Sequence, residues 1–248
     1  MKTFDIKLLF FLLSFLPISL SAQDMSNPAK QQNLDNLAKD GYSGMVQTYD
    51  TRYEGVKGSP YLTKNWLEGK VELEEGRSIT NIELLYNVYT DELIGRNKGK
   101  KPVVIDRGMV RSFTMGKKDN ANMGDFIKVD YLDYQLEDVK EHQYVQELYK
   151  GETALYAVNK KLLKKANYEG AYSAGEKYDE FSALQADYYF VNPEGEVYKF
   201  KPNKRSVVRA MKDKKEAISN YIEVENLNLN ERDDLVKLVM YYEIQQKD

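Results

Sequence analysis

The sequence of 248 residues contains no cysteine and a single histidine. Without cysteine the chain has no disulfide, no thiolate nucleophile, no Cys-type zinc site and no acylated cysteine of a bacterial lipoprotein. His142 stands in the polar segment VKEHQ, and one histidine supports neither a catalytic triad nor a zinc site that lacks Cys. We therefore expect His142 to be an exposed loop or strand-edge residue, and we predict no metal site and no cofactor.

The sequence also lacks an apolar run long enough to span a membrane. Residues 8–20 are apolar, but about thirteen residues fall short of the ~20 that a spanning helix needs. Two lysines precede this run and small residues close it, which is typical of a secretory signal peptide over residues 1–22, with cleavage after Ser21 or Ala22. Residues 23–43 follow as a polar leader.

The charge is small and negative. The formal charge is −3, and removal of residues 1–22, which carry two Lys and one Asp, makes it −4. Lysine and arginine are interleaved with acids along the chain rather than clustered. Because phosphate binding needs a basic surface, this pattern argues against a nucleic-acid partner.

Two segments resemble functional motifs but lack essential positions. Residues 171–175, AYSAG, resemble a nucleophile elbow, but polar residues precede them and no histidine follows them. Residues 119–124, DNANMG, followed by Asp130, resemble a calcium loop, but its third and fifth positions are Ala and Met rather than oxygen ligands. The 39 Asp and Glu residues are too many to single out an acid/base pair without geometry. We predict that the protein is not an enzyme.

Tyrosine is the main compositional bias, with 20 Tyr against 9 Phe and one Trp. Tyrosine suits a half-buried pleated surface, which favours a role in sheet architecture. The alternative is a contact surface, since Tyr offers a large area at little entropic cost. The best ligand-binding candidates are Tyr61 and Trp66, because the segment GSPYLTKNWLEG is predicted to be a loop. For Trp66 the alternative is burial at the end of the sheet.

Alternating apolar residues predict many short strands. In residues 81–89 the side chains of Ile82, Leu84, Tyr86 and Val88 share one face. Short connections between successive strands imply an antiparallel meander. The predicted strands outside the C-terminal hairpin are Met45–Tyr49, Lys70–Glu74, Asn81–Tyr89, Leu93–Arg96, Pro102–Ile105, Met109–Met115, Phe126–Tyr131, Gln143–Tyr149 and Thr153–Val158.

The C-terminal part predicts a hairpin and then helices. Residues 192–195, NPEG, form the turn of the hairpin, with Gly where φ is positive. Asn203 is predicted to cap the first helix, Asp213 and Glu216 to form a capping box for the second, and Asn230 to cap the third. The apolar stripes of these helices must be buried on each other or on the sheet.

These elements predict an α+β fold, an antiparallel β-meander in one or two lobes followed by C-terminal helices. A polar loop at residues 116–125 would separate an N-terminal meander lobe, residues 44–118, from a second sheet with the helices, residues 119–248. The alternative is one continuous domain. Residues 159–165 fit either a strand extension or a helical turn, and residues 166–183 are predicted to be a long loop.

Several segments resemble a group of secreted proteins of Bacteroidota that has no assigned biochemical function. They are GSPYLTKNWLEGKVEL, LLYNVYTDEL and VRSFTM in the N-terminal half, and YVQELYKGETALY, DYYFV and IEVENLNLNERDDLVKLVMYY in the C-terminal half. The resemblance rests on apolar and turn positions and carries no active-site motif. It implies a Gram-negative envelope location, and the helical C-terminus differs from the β-sandwich sorting domain of that phylum, which favours the periplasm.

Secretion, the missing catalytic residues and the Tyr-rich sheet lead to a functional expectation. We expect a non-catalytic envelope protein that binds another protein, as an accessory of an outer-membrane assembly. One alternative is a glycan-binding module that uses Tyr61 and Trp66. A less favoured alternative is a carboxylate-dependent hydrolase, which requires two facing acids in a cleft, one with a raised pKa.

Overall fold

The structure is a computed structural model that describes residues 53–97, 101–116, 124–166 and 178–246. Several sequence predictions lie outside the described residues. These are the signal peptide at 1–22, the polar leader at 23–43, the strand Met45–Tyr49, the AYSAG segment at 171–175 and residues 119–123 of the calcium-like loop.

The described residues form twelve β-strands and three α-helices. The strands are β1 Leu67–Leu73, β2 Ser78–Asn87, β3 Glu92–Arg96, β4 Val103–Ile105, β5 Val110–Met115, β6 Gly124–Lys128, β7 Tyr144–Lys150, β8 Ala154–Lys160, β9 Leu163–Lys164, β10 Glu180–Phe181, β11 Gln185–Val191 and β12 Val197–Phe200. The helices are α1 Lys204–Ala210, α2 Lys215–Val224 and α3 Arg232–Gln245. No helix among these residues is long and apolar enough to cross a membrane.

Ten strands form one antiparallel sheet in the order β12-β11-β8-β7-β6-β5-β1-β2-β3-β4. The predicted α+β fold, a meander followed by C-terminal helices, is confirmed. The chain departs from a simple meander at two places: β5 pairs with β1 rather than with β4, and β9 and β10 form a separate two-stranded sheet between β8 and β11. The strand β10 lies inside the segment that was predicted to be a loop.

The sheet continues across the polar loop at residues 116–125. Strands β5 and β6 on its two sides are hydrogen-bonded neighbours, with Ser112 opposite Ile127 and Phe113 opposite Phe126. The division between residues 44–118 and 119–248 therefore falls between two adjacent strands of the same sheet.

Aromatic contacts between distant strands show that the sheet is strongly curved. Strands β2 and β6 are three steps apart in the sheet, which is about 14 Å in a flat sheet at ~4.8 Å per step. The rings of Tyr86 on β2 and Phe126 on β6 nevertheless lie 5.5 Å apart, and Tyr144 on β7 lies 6.2 Å from Tyr86. The sheet bends around one face, where these three rings and Phe113 are buried in a core with aliphatic residues from β1 to β5.

In the C-terminal half both faces of the sheet are covered. Leu155 and Phe190 face the helices, where Tyr242 of α3 packs edge-on against Phe190 at 4.9 Å. Tyr156 and Tyr189 point to the opposite face and pack against residues 129–139. Buried tyrosines on both faces support the architectural interpretation of the tyrosine bias.

The turn of the C-terminal hairpin was predicted correctly, as was the cap of the first helix. Gly195 has a φ of +80° and its N–H donates to the carbonyl of Asn192 at 3.0 Å. The side chain of Asn203 accepts a hydrogen bond from the N–H of Ser206 at 3.0 Å and caps α1. Pro202 follows β12 and separates it from this helix.

The predicted caps of the other two helices are wrong. The residue before α2 is Lys214, and its side chain makes no capping bond. The carboxylate of Asp213 instead accepts a hydrogen bond from the hydroxyl of Tyr242 at 2.8 Å, which ties the 3₁₀ turn Lys212–Lys214 before α2 to α3. Helix α3 starts after Glu231 rather than Asn230, also without a side-chain cap. A tertiary contact thus replaces the local one at Asp213.

Candidate functional site

Tyr61 and Trp66 lie together on the face of β2 and β3 that is opposite the main core. Tyr61 is 8% exposed and packs with Leu85 and Ile94, while Trp66 is half-buried beside them. The guanidinium of Arg96 covers one face of the Trp66 ring at 4.2 Å. Both rings therefore pack against neighbouring side chains of β2 and β3. Their role in ligand binding stays a prediction.

His142 is exposed, as predicted. Its Nδ1 lies 2.7 Å from Oδ2 of Asp130, the residue at the last position of the calcium-like loop. The described residues hold no group of three or more His, Asp or Glu side chains that is arranged to bind a metal ion.

A buried polar cluster closes one end of the curved sheet. The hydroxyl of Tyr86 donates to Oδ1 of Asp91 at 2.5 Å, and the guanidinium of Arg107 lies 3.2 Å from Oδ2 of the same carboxylate. Arg107 also donates to the backbone carbonyl of Asp91 at 2.6 Å. The N–H of Tyr144 points to Oδ1 at 3.4 Å. This cluster joins the β2–β3 turn to β7 and to the short 3₁₀ turn before β5.

The pKa values in this cluster are shifted by burial. Burial raises the pKa of Asp91 to about 6, although the Tyr86 hydrogen bond and the Arg107 charge act in the opposite direction. Burial and the nearby Asp91 charge raise the pKa of Tyr86 well above its usual value. Asp91 thus has the raised pKa that a hydrolase acid needs, but the group that faces its carboxylate is a guanidinium rather than a second acid.

The most distinctive open surface is a groove between α1 and α2 that encloses about 700 Å³. We call it the basic groove. Five of its seven lining residues are cationic, and it is lined by Lys204, Arg205, Val208, Arg209, Lys212, Lys215 and Ser219. It forms because Val207, Ala210 and Met211 turn to the core, which leaves the positions between them on the outer side of α1.

The cations of the basic groove are largely without acidic partners. Lys204 pairs with Glu223. Among the residues that the structure describes, Arg205, Arg209, Lys212 and Lys215 form no ion pair with an acid. Residues 201–215 carry seven Lys and Arg and one Asp, so the prediction that cations are interleaved with acids is wrong for this segment. A count over this window would have found the cluster from sequence.

A second open site is a cleft between residues 53–64 and the small β9–β10 sheet, with a volume of about 720 Å³. We call it the Tyr61 cleft. Its side walls carry both aromatic and charged side chains, and it is lined by Tyr53, Glu54, Gly58, Ser59, Pro60, Tyr61, Leu62, Lys64, Lys161, Phe181, Ser182 and Ala183. Of the two residues predicted to bind ligand, Tyr61 lines this cleft.

Comparison of the chain with models of protein families, with curated proteins and with solved structures finds no match.

Proposed function

We propose that the protein is a non-catalytic component of the bacterial cell envelope that binds an acidic segment of a partner protein in the basic groove. The proposal rests on one observation, the four cations of the groove that have no acidic partner among the described residues. Such a segment would neutralise cations that otherwise repel one another, and long-range attraction would also speed its association.

The shape of the groove favours a protein segment over a small anion. Its cations follow one another at helical spacing along α1 and into α2 rather than converging on one point. Val208 and the aliphatic stems of the lysines provide an apolar floor between them. An amphipathic segment with acidic residues on its flanks and an apolar face toward Val208 matches this arrangement.

The envelope location rests on the sequence. The predicted signal peptide directs the chain out of the cytoplasm, and the resemblance to secreted proteins of Bacteroidota favours the periplasm. The proposal includes a role as an accessory of an outer-membrane assembly, because a periplasmic protein that binds other proteins has access to such an assembly. Absence of catalysis is part of the same proposal, because Asp91, the described acid with a raised pKa, faces Arg107.

The proposal is tested by photo-crosslinking from the groove in cells. A photoreactive amino acid replaces Ser219, which lines the groove, and a control places it at exposed Thr80 on β2. We expect the probe at Ser219, and not at Thr80, to capture one envelope protein. Mass spectrometry of the crosslinked peptide should then identify an acidic segment.

Charge reversal gives the matched controls. The variant R205E/R209E reverses two groove cations, and K101E/K164E changes the net charge equally at two exposed lysines elsewhere. We expect R205E/R209E to weaken binding of a labelled peptide with the captured sequence by about tenfold or more, and K101E/K164E to leave it nearly unchanged.

Three results would contradict the proposal. One is capture of lipid rather than protein by the Ser219 probe, together with R205E/R209E-sensitive binding to vesicles containing phosphatidylglycerol. Another is equal capture of the partner by the R205E/R209E variant and by the K101E/K164E variant. The third is a captured segment that is not acidic.

A further inference from the structure

The Tyr61 cleft is bounded by a wall that the backbone holds in place. The N–H of Lys57 donates to the carbonyl of Asp179 at 2.8 Å, and the N–H of Phe181 donates to the carbonyl of Lys57 at 2.9 Å. Gly58 follows with a φ of +85°, and a Cβ there would lie 3.3 Å from the carbonyl oxygen of Phe181. The approach of residues 53–64 to β10 is therefore close and well defined, which favours a preformed site.

The lining of the cleft includes two lysines, Lys64 and Lys161, that form no ion pair among the described residues. The ammonium of Lys161 donates to the backbone carbonyls of Ser59 at 2.8 Å and of Tyr61 at 2.6 Å. Burial and the charge of Lys64 lower the pKa of Lys161. Neither lysine forms an ion pair within the described part of the chain. Two neighbouring cations without a counter-charge favour an anionic group in the cleft.

The lining of the cleft also contains aromatic rings. The rings of Tyr53 and Phe181 line it and meet edge to face at 5.1 Å. Tyr89 packs against both rings, at 6.2 Å from Tyr53 and 5.4 Å from Phe181, and is 42% exposed. Such a group of rings offers an apolar surface to the C–H face of a ligand.

Groups that bind hydroxyls complete the lining. Glu54, Ser59 and Ser182 line the same cleft. The hydroxyl of Ser182 already donates to the carbonyl of Ala183 at 2.9 Å and accepts from the N–H of Leu162 at 3.0 Å. The carboxylate of Glu54 can accept hydrogen bonds from hydroxyls, and the hydroxyl of Ser59, which accepts from the N–H of Tyr61 at 3.3 Å, can still donate. The cleft thus combines two cations, aromatic rings and the hydroxyl-binding groups of Glu54 and Ser59 within about 720 Å³.

We propose that the Tyr61 cleft binds a carboxylate-bearing saccharide, with its carboxylate at Lys64 and Lys161 and its C–H face against Tyr53 and Phe181. An acidic sugar is the class that offers a carboxylate, hydroxyls and an apolar ring face in one small molecule. A simple carboxylate uses the lysines alone, and a neutral sugar leaves them without a counter-charge. This site is separate from the basic groove and does not depend on the proposed function.

The test is calorimetric titration of a chain that spans residues 23–248 with oligogalacturonate, a chondroitin oligosaccharide and N-acetylneuraminic acid. We expect at least one to bind. Its methyl ester, which keeps the ring but removes the charge, should bind at least tenfold more weakly. The variant K64Q should also lose at least tenfold in affinity, while K101Q, at an exposed lysine elsewhere, should not.

Nuclear magnetic resonance of the lysine side chains gives a readout that does not depend on affinity. The pKa of Lys161 should rise when the acidic saccharide binds, because the carboxylate stabilises its charged form. The variant R205E/R209E should bind the saccharide as the unmodified chain does, which keeps this test separate from that of the basic groove.

The proposal is overturned if none of the acidic saccharides binds or if the methyl ester binds equally well. Equal losses in K64Q and K101Q would also overturn it. So would acetate that competes at the same concentration as the saccharide, because recognition would then involve the carboxylate without the ring. Thermal unfolding of K64Q checks that any loss is not a loss of folding.

Discussion

The hydroxyl of Tyr86 donates a hydrogen bond of 2.5 Å to the carboxylate of Asp91, at an end of the core where both side chains are largely removed from water. The bond holds the turn after β2 against Tyr144. The backbone N–H of Tyr144 points to the same carboxylate oxygen. Because Asp91 is largely buried, its protonation changes the free energy of unfolding, so the stability of this curved part of the sheet depends on pH.

The first prediction concerns pH. The pKa of Asp91 is about 6 in the folded protein and its ordinary value is 3.8, so between these values the folded protein holds more of the proton than the unfolded chain does. The contribution of Asp91 to the free energy of unfolding is therefore present below about pH 4 and falls as pH rises to about 6, by up to about 3 kcal/mol.

Urea denaturation of the unmodified protein and of Asp91→Asn, at about pH 4 and about pH 7, checks this sign. Other carboxylates affect both proteins equally, so the difference between the two proteins is the readout. We expect the unmodified protein to gain stability relative to Asp91→Asn at the lower pH. A gain at the higher pH would mean that the Arg107 charge outweighs burial.

The second prediction concerns Arg107. Its guanidinium contacts both the carboxylate and the backbone carbonyl of Asp91, and Arg107→Met leaves this carboxylate without its cation. We expect a loss of about 1–3 kcal/mol in the free energy of unfolding near neutral pH, because a largely buried carboxylate loses its cation. The partial exposure of Arg107 keeps this loss below that of a fully buried ion pair.

The loss should shrink at about pH 4, where Asp91 is protonated. The control is Arg111→Met, since Arg111 is exposed and its guanidinium lies over the Tyr131 ring at 4.5 Å. That variant should lose at most about 1 kcal/mol, with no change between the two pH values. Equal pH dependence in both variants would argue against the role given to Asp91.

The third prediction concerns Gly195 in the hairpin turn. Its φ of +80° is a conformation that a β-branched residue resists, and a Cβ there would have no atom within 4 Å. Gly195→Val should therefore lower stability by about 1–3 kcal/mol through the backbone alone, and Gly195→Asn by less, since Asn tolerates positive φ. Calorimetric melting measures both variants. Unchanged melting of the Val variant would show that the turn is assigned incorrectly.

The fourth prediction concerns Gly69 on β1, where the cost is steric instead. A Cβ on Gly69 would lie 2.4 Å from the carbonyl oxygen of Thr114 and 2.5 Å from Cδ1 of Leu84. Gly69→Ala should cost about 2–3 kcal/mol, because the backbone of the neighbouring strand must move.

Gly76→Ala is the matched comparison for this steric cost. Its Cβ meets no atom within 4 Å, although its φ is +83°, so we expect a loss of about 1 kcal/mol. Chemical denaturation of both variants ranks them. A smaller loss at Gly69 than at Gly76 would contradict the close packing of β1 between β2 and β5.

Local patterns in the sequence predicted much of the secondary structure correctly. The alternation of Ile82, Leu84 and Tyr86 identified the inner face of β2, and all three are buried. The NPEG turn and the Asn203 cap were also predicted, since each depends on residues within three or four positions of one another. The caps at Asp213 and Asn230 were missed. The carboxylate of Asp213 binds Tyr242, 29 residues away, and no local pattern contains that contact.

The two candidate binding sites differ in how far the sequence alone could identify them. The cations of the basic groove are visible in the sequence of residues 201–215. Their lack of acidic partners is not visible, because it depends on which residues the fold places around α1. The Tyr61 cleft brings Tyr61 beside Lys161, 100 residues later in the chain, and the sequence has no signal that joins the two.

The sequence alone determined the strand faces, the C-terminal hairpin and helices, and the α+β class. It also determined the limits that the absence of Cys and the presence of a single His place on chemistry. These follow from short-range periodicity and from the reactivity of each side chain. The tertiary structure decided the strand order, with β5 beside β1, and the curvature that brings Tyr86 to Tyr144. It also decided the burial that raises the pKa of Asp91. These depend on contacts between distant residues, which the shape of the whole sheet selects.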